Sequence, residues 1–124
     1  TFSIDSVDFV MRSFSLNLGN QVEGRFLVGD ESILIVDKAE RAQAQVEAVP
    51  LTTWDPYAEA AAQNAVPISL VHGTTAGRIA TLAIAGAQVQ RPNSLASEQN
   101  ILEWPLELVP LPVSGNDQWT LTLT

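Results

Sequence analysis

Apolar and polar residues alternate along most of this chain, which is the period-two signature of half-buried β-strands. In Ser13-Phe14-Ser15-Leu16-Asn17-Leu18 the even positions are apolar, and Gly19-Asn20 ends the segment with turn chemistry. Ala42-Gln43-Ala44-Gln45-Val46-Glu47-Ala48 alternates again, with mostly small residues on its inner phase. Ile33-Leu34-Ile35-Val36 is a continuous apolar run, the pattern of a strand buried on both faces. Ile68 to Val71 and Ile79 to Ile84 flank His72-Gly73-Thr74-Thr75-Ala76-Gly77, which predicts a hairpin with a longer loop. Further on, Leu102, Trp104, Leu106 and Leu108 share one phase, opposite Glu103, Pro105 and Glu107. Pro105 has no N–H to give a ladder, so its strand is expected at a sheet edge or a bulge. Pro110 and Pro112 stop that strand, Ser114 to Asp117 turns the chain, and Trp119 to Leu123 forms a last alternating strand.

One helix interrupts the strands. Thr52-Thr53-Trp54-Asp55-Pro56-Tyr57 offers a capping Thr or Asp and a proline in the first turn, where a missing N–H costs nothing. Ala58-Glu59-Ala60-Ala61-Ala62-Gln63 has strong helix propensity and Asn64 can close it, so a helix is expected over about 54–64. At that length it is marginal alone and must dock on a sheet. The expectation is a mainly β fold: a single antiparallel β-sandwich or barrel domain over residues 1–124, with seven to eight strands flanked by one short α-helix. The segment Gly19 to Glu31 stands apart. Its three glycines make it loop-like, yet Val22, Phe26, Leu27 and Val28 give it more apolar matter than a solvated loop carries. Such a loop either packs on its own domain or serves as an arm that docks on a neighbour.

Composition narrows the chemistry. A chain of 124 residues with 46% hydrophobic content can bury roughly two-thirds of its unfolded surface without staples. It has no Cys and one His, which excludes disulfides, thiol catalysis, Cys-based zinc sites and multi-His metal sites within the chain. Six basic against 14 acidic side chains give a formal charge of −8, so the surface as a whole repels nucleic acid and anionic lipid. Only 16% of residues are charged, so much of the polar surface must be Ser, Thr, Gln and Asn. No apolar run reaches the length of about 18 residues that a membrane helix needs, and no charged stretch precedes an apolar one in the manner of a signal peptide.

Each candidate for chemistry has a plainer reading. His72 stands at a strand end with no nucleophile elbow in the chain, so a surface residue is expected. Thr74-Thr75-Ala76-Gly77-Arg78 lacks the Lys-Ser/Thr pair of a phosphate loop and reads as a turn. Asp5-Ser6-Val7-Asp8 and Asp30-Glu31 lack the ligand spacing of a calcium loop. Arg12, Arg25, Lys38, Arg41, Arg78 and Arg91 are scattered and form no basic stripe. Trp54, Trp104 and Trp119 could form a glycan platform, but their positions in the pattern place them in the core. No catalytic residue, cofactor or metal is expected.

Four segments, in this order, carry a resemblance. They are Val10 to Asn20; Ala42 to Val49 leading through Leu51-Thr52-Thr53-Trp54-Asp55-Pro56-Tyr57 into the Ala-rich helix; the pair Val66 to Gly73 and Gly77 to Gln90; and Leu106 to Pro112 followed by Gly115 to Leu123. Together they resemble the tail tube (major tail) proteins of long-tailed bacteriophages and prophages over nearly the whole chain. Members of that family are usually longer, and the start Thr1-Phe2-Ser3 without Met leads us to expect the C-terminal part of such a protein. The resemblance implies a β-sandwich flanked by a helix, related to the secreted tube protein of type VI systems. It implies a non-enzymatic virion protein made in the bacterial host cytoplasm, whose partners are copies of itself and other tail proteins. Its rings would be hexameric, or trimeric where one chain carries two tandem domains, and would stack around a channel that DNA traverses without specific binding. Gln43, Gln45 and Glu47 are then the expected channel-facing set, although an ordinary solvent face shows the same alternation. Val22, Phe26, Leu27 and Val28 are the expected subunit contact. The rival reading is a non-catalytic β-sandwich binding module, such as a receptor- or glycan-binding domain.

Overall fold

The alternating segments pair into one antiparallel sheet that curls over its own core. The computed structural model describes all residues, Thr1 to Thr124. Its strands are β1 (Phe2–Ile4), β2 (Val7–Phe9), β3 (Met11–Asn17), β4 (Gln21–Leu27), β5 (Asp30–Asp37), β6 (Arg41–Glu47), β7 (Ala65–His72), β8 (Ala80–Val89), β9 (Ala96–Glu98), β10 (Ile101–Pro110) and β11 (Thr120–Leu123), with helix α1 (Pro56–Ala62) between β6 and β7. Nine strands share one sheet in the order β2-β1-β7-β8-β10-β6-β3, with β11 on β8 and β9 on β10. The fold is mainly β and antiparallel with one short helix, a β-sandwich in class. The three-residue strands β1, β2 and β9 account for a strand count above the expected one.

Only Val10 separates β2 from β3, yet these strands lie at opposite ends of the sheet order. The chain therefore crosses from one layer to the other there, and the two layers close on each other. Phe2 on β1 meets Phe14 on β3 with ring centroids 5.9 Å apart. Phe9 meets Trp54 edge-on at 5.3 Å, and Trp54 lies 6.0 Å from Trp104. Ile4, Ile84, Leu106, Leu108 and Val46 complete the buried interior. The period-two reading holds along β6, where Ala42, Ala44 and Val46 are buried against outward Gln43, Gln45 and Glu47. It holds for β7 and β8 too, which pair from Ala65↔Gln88 to His72↔Ala80.

Helix α1 is capped as its residues dictate. The Asp55 carboxylate accepts from the Tyr57 N–H at 2.9 Å and the Ala58 N–H at 3.2 Å, with Pro56 in the first turn. The helix is shorter than expected because Gln63, rather than Asn64, takes the left-handed closing conformation at φ 53°. Asn64 instead donates from Nδ2 to Glu59 at 3.0 Å.

Four other expectations are corrected. Ile33 to Val36 lies not in a doubly buried strand but on β5, exposed throughout. The strand bearing Pro105 is not an edge strand, since β10 runs between β6 and β8. The Leu102 carbonyl accepts from Ala48 of the segment after β6, while that of Glu107 accepts from Gln90 beyond β8. Alternation thus turns the Pro105 nitrogen away from β6, into the stretch between β9 (paired at 101–103) and β8 (paired at 108–110), where no N–H is needed. Within β10 the phases are also imperfect: Leu102 is exposed and Glu103 is buried. Finally, β11 alternates in sequence but is exposed at every position, because it caps the Ala80–Ala83 half of β8 outside the core.

Candidate functional site

Two surfaces collect the residues singled out from the pattern. The first is an arm. Asn17 accepts the Gly19 N–H on Oδ1 at 2.9 Å, and Gly19 turns with φ 57° where a Cβ would collide with the Ala39 carbonyl oxygen. That pinch ties the two roots of the arm together. Beyond it β4 and β5 pair only with each other, through the two-residue turn Val28-Gly29. No residue of either strand belongs to the core.

The register sorts the arm into two faces, because directly paired residues point the same way. Val22↔Ile35, Gly24↔Ile33 and Phe26↔Glu31 share one face, which is apolar but for Glu31. The Phe26 ring crosses Gly24, where an added Cβ would meet it at 2.7 Å. Glu23↔Leu34, Arg25↔Ser32 and Leu27↔Asp30 share the other, mixed face. Phe26 is 75% exposed and Ile33 74%, and Val28 at the tip is fully open. Of the residues expected to dock, Val22 and Phe26 come together on one face, Leu27 lies on the other, and Val28 stands at the turn. The pattern missed Ile33 and Ile35 as members of the same face. Their apolar run was visible, but nothing in it says whether a layer covers it.

The second surface is the outer face of the β3-β6-β10 ladder. Cross-strand register places Ser13, Gln45 and Pro105 in one row and Ser15, Gln43 and Glu107 in the next, with Glu47 beside Glu103. Gln43, Gln45 and Glu47 therefore share one face, the first exposed and the others half-buried. With Arg91 these rows line a cleft of about 340 Å³. Glu103 anchors its end. The Arg12 Nε donates to both carboxylate oxygens, at 2.8 and 2.9 Å, and Gln45 Nε2 donates to one of them. Arg12 lowers the Glu103 carboxyl below the usual carboxylate range; burial opposes this and Gln45 reinforces it. The same contact raises Arg12 further. Gln43 reaches Glu107 at 3.5 Å.

The remaining candidates lie apart from both surfaces. His72 is exposed at the end of β7, and Thr74 to Arg78 forms the exposed β7–β8 turn. Trp54 and Trp104 are buried and Trp119 is half-buried against the core, so Phe26 is the one exposed aromatic side chain. No group of three or more His, Cys, Asp or Glu is placed to hold a metal ion. No helix is long and apolar enough to cross a membrane. No protein-family model matches the chain, and no curated protein matches it.

Proposed function

We propose that this chain is a structural, non-catalytic subunit that assembles with copies of itself through the β4–β5 arm. On the resemblance stated above, the assembly is a phage tail tube in the virion. The observation that carries the reading is the arm itself: an isolated two-stranded hairpin whose apolar face meets water. Two strands alone are marginally stable, and a contiguous exposed apolar face marks an interaction site. The outer ladder face suits a channel wall. Of the cations on this face Arg12 is held by Glu103, and Arg41 and Arg91 stand at its margins; the rows between them are Ser, Gln, Pro and Glu, groups that give phosphate no cationic hold. Negative-stain micrographs of the protein at high concentration are expected to show rings or stacked filaments. Phe26→Asp and Leu27→Asp are expected to keep the fold and abolish assembly. A protein that stays monomeric with no blocking partner overturns the reading.

A second reading, a non-catalytic binding module, rests on the cleft beside Gln43, Gln45 and Arg91, whose hydrogen-bonding side chains suit a polyhydroxylated ligand. It expects a monomer that binds glycans and loses them with Gln43→Ala.

A further inference from the structure

We infer that the cleft beside β10 is a binding site for a saccharide carrying a carboxylate, with Arg91 as the group that holds the acid. This rests on the binding reading of the cleft, deepens it to a ligand class, and does not depend on assembly. The cleft follows from a break in pairing. On the side away from β6, β10 pairs with β9 at 101–103 and with β8 at 108–110. Pro105, with no N–H to offer a strand, lies in the gap between them. The chain from β8 to β9 passes this gap, yet no backbone hydrogen bond ties residues 91–95 to β10. The bond from the Gln90 N–H to the Glu107 carbonyl is the last before the two segments part. Residues 91–94 therefore stand off as a wall, with Pro92 buried and Arg91, Asn93 and Ser94 exposed. The space enclosed is about 340 Å³, at the small end of ligand pockets.

The cleft's side chains offer both halves of what a sugar acid needs. An ionised carboxylate only accepts hydrogen bonds, so Gln43 and Gln45 turn their Nε2 groups to Glu107 and Glu103. Each amide then keeps its Oε1 as an acceptor for a ligand hydroxyl. Ser15 and Asn93 add groups that donate as well as accept. The half-buried Pro105 ring supplies an apolar patch for the C–H face of a pyranose. Arg91 sets the charge of the ligand. Arg12 with Glu103 is the chain's one ion pair, so Arg91 and Glu107 line the same cleft without bonding each other. In a chain of net charge −8, an exposed guanidinium with no carboxylate of its own is free to take one from a ligand. Its planar fork matches the two oxygens of a carboxylate. Glu107 repels a second acid, so the ligand's groups near Gln43 must be neutral hydroxyls.

The test titrates isotope-labelled protein with methyl glucuronoside, its methyl ester and methyl glucoside, and follows the backbone amide shifts by NMR. The acid is expected to shift the amides of Ser15, Gln43 and residues 91–94 that carry an N–H. It is expected to bind about tenfold or more tightly than either neutral probe. Arg91→Gln should bring the acid down to the level of the ester and leave the ester unchanged, whereas Gln43→Ala should weaken all three. Equal affinities for the acid and the neutral probes, or an acid preference that survives Arg91→Gln, overturn the inference and leave the binding reading standing. Acetate that shifts the same amides and binds as tightly as the glucuronoside means a bare anion contact, and overturns it too. Should no probe move these amides, the inference and the binding reading fail together. Arg91 and Gln43 are both exposed, so the two variants are expected to melt with the unmodified chain, and thermal melts identify any loss that comes from unfolding.

Discussion

Glu103 is the one charged residue buried in the molecule. The residue is 4% exposed and its two carboxylate oxygens are occupied by Arg12 and Gln45, strands away in sequence. Removing Arg12 leaves a buried charge with one neutral donor, so Arg12→Ala is expected to lower the melting temperature more than Glu103→Gln does. The direction of the pH dependence follows from its depressed carboxyl. The unfolded chain takes up the proton first, near the ordinary value of about 4.3, so the stabilisation is complete above that pH. It is lost as the pH falls through the lower folded value. Asp117 contributes in the same sense, since the Ser114 and Val113 backbone N–H groups hold its carboxyl below the usual range. Melts between pH 7 and pH 2 should therefore show an acid limb that Glu103→Gln makes shallower without abolishing. In the core, Leu108 is fully buried, and Leu108→Ala is expected to cost about 2–5 kcal/mol in denaturant unfolding.

At the scale of elements, the helix and the arm make opposite demands. Helix α1 depends on one cap, and Asp55→Ala should cost about 0.5–2 kcal/mol in the same unfolding measurement. The arm contributes nothing to the interior, so its amides should exchange with deuterium quickly in the monomer and become protected on assembly. Protection of β4 and β5 in a dilute monomer would mean that the body covers them. These two elements also mark what the sequence could reveal. Alternation placed β6 correctly because Gln and Ala differ in what burial costs them, and Asp55-Pro56 announced a helix start by local chemistry alone. Ile33 to Val36 misled because an apolar run records only a need for cover, which another molecule can meet as well as a second sheet layer. Glu103 was read as solvent-facing for a related reason. Its partner Arg12 lies 91 positions away, and no local pattern encodes that pairing. Pro105 in an interior strand became intelligible only once the gap between β8 and β9 was known.

For the whole molecule, the distribution of charge matters more than its total. A net −8 does not say where repulsion acts; register does, by grouping Gln43, Gln45, Glu47 and Glu107 on one outer face. If that face lines a channel, Gln43→Lys with Gln45→Lys should leave assembly intact and make the assembled protein retain DNA at low salt, released as salt rises. Assemblies that ignore DNA despite two added lysines per copy would place the channel elsewhere.

The exposed apolar face of the arm also sets a thermal character for any contact made through it. Val22, Phe26, Ile33 and Ile35 would leave water on docking, and near room temperature that transfer is driven by entropy with almost no enthalpy. The heat capacity must then fall on association, and the association constant must rise with warming over the lower part of the temperature range. Chilling should return subunits to solution, and rewarming should restore them.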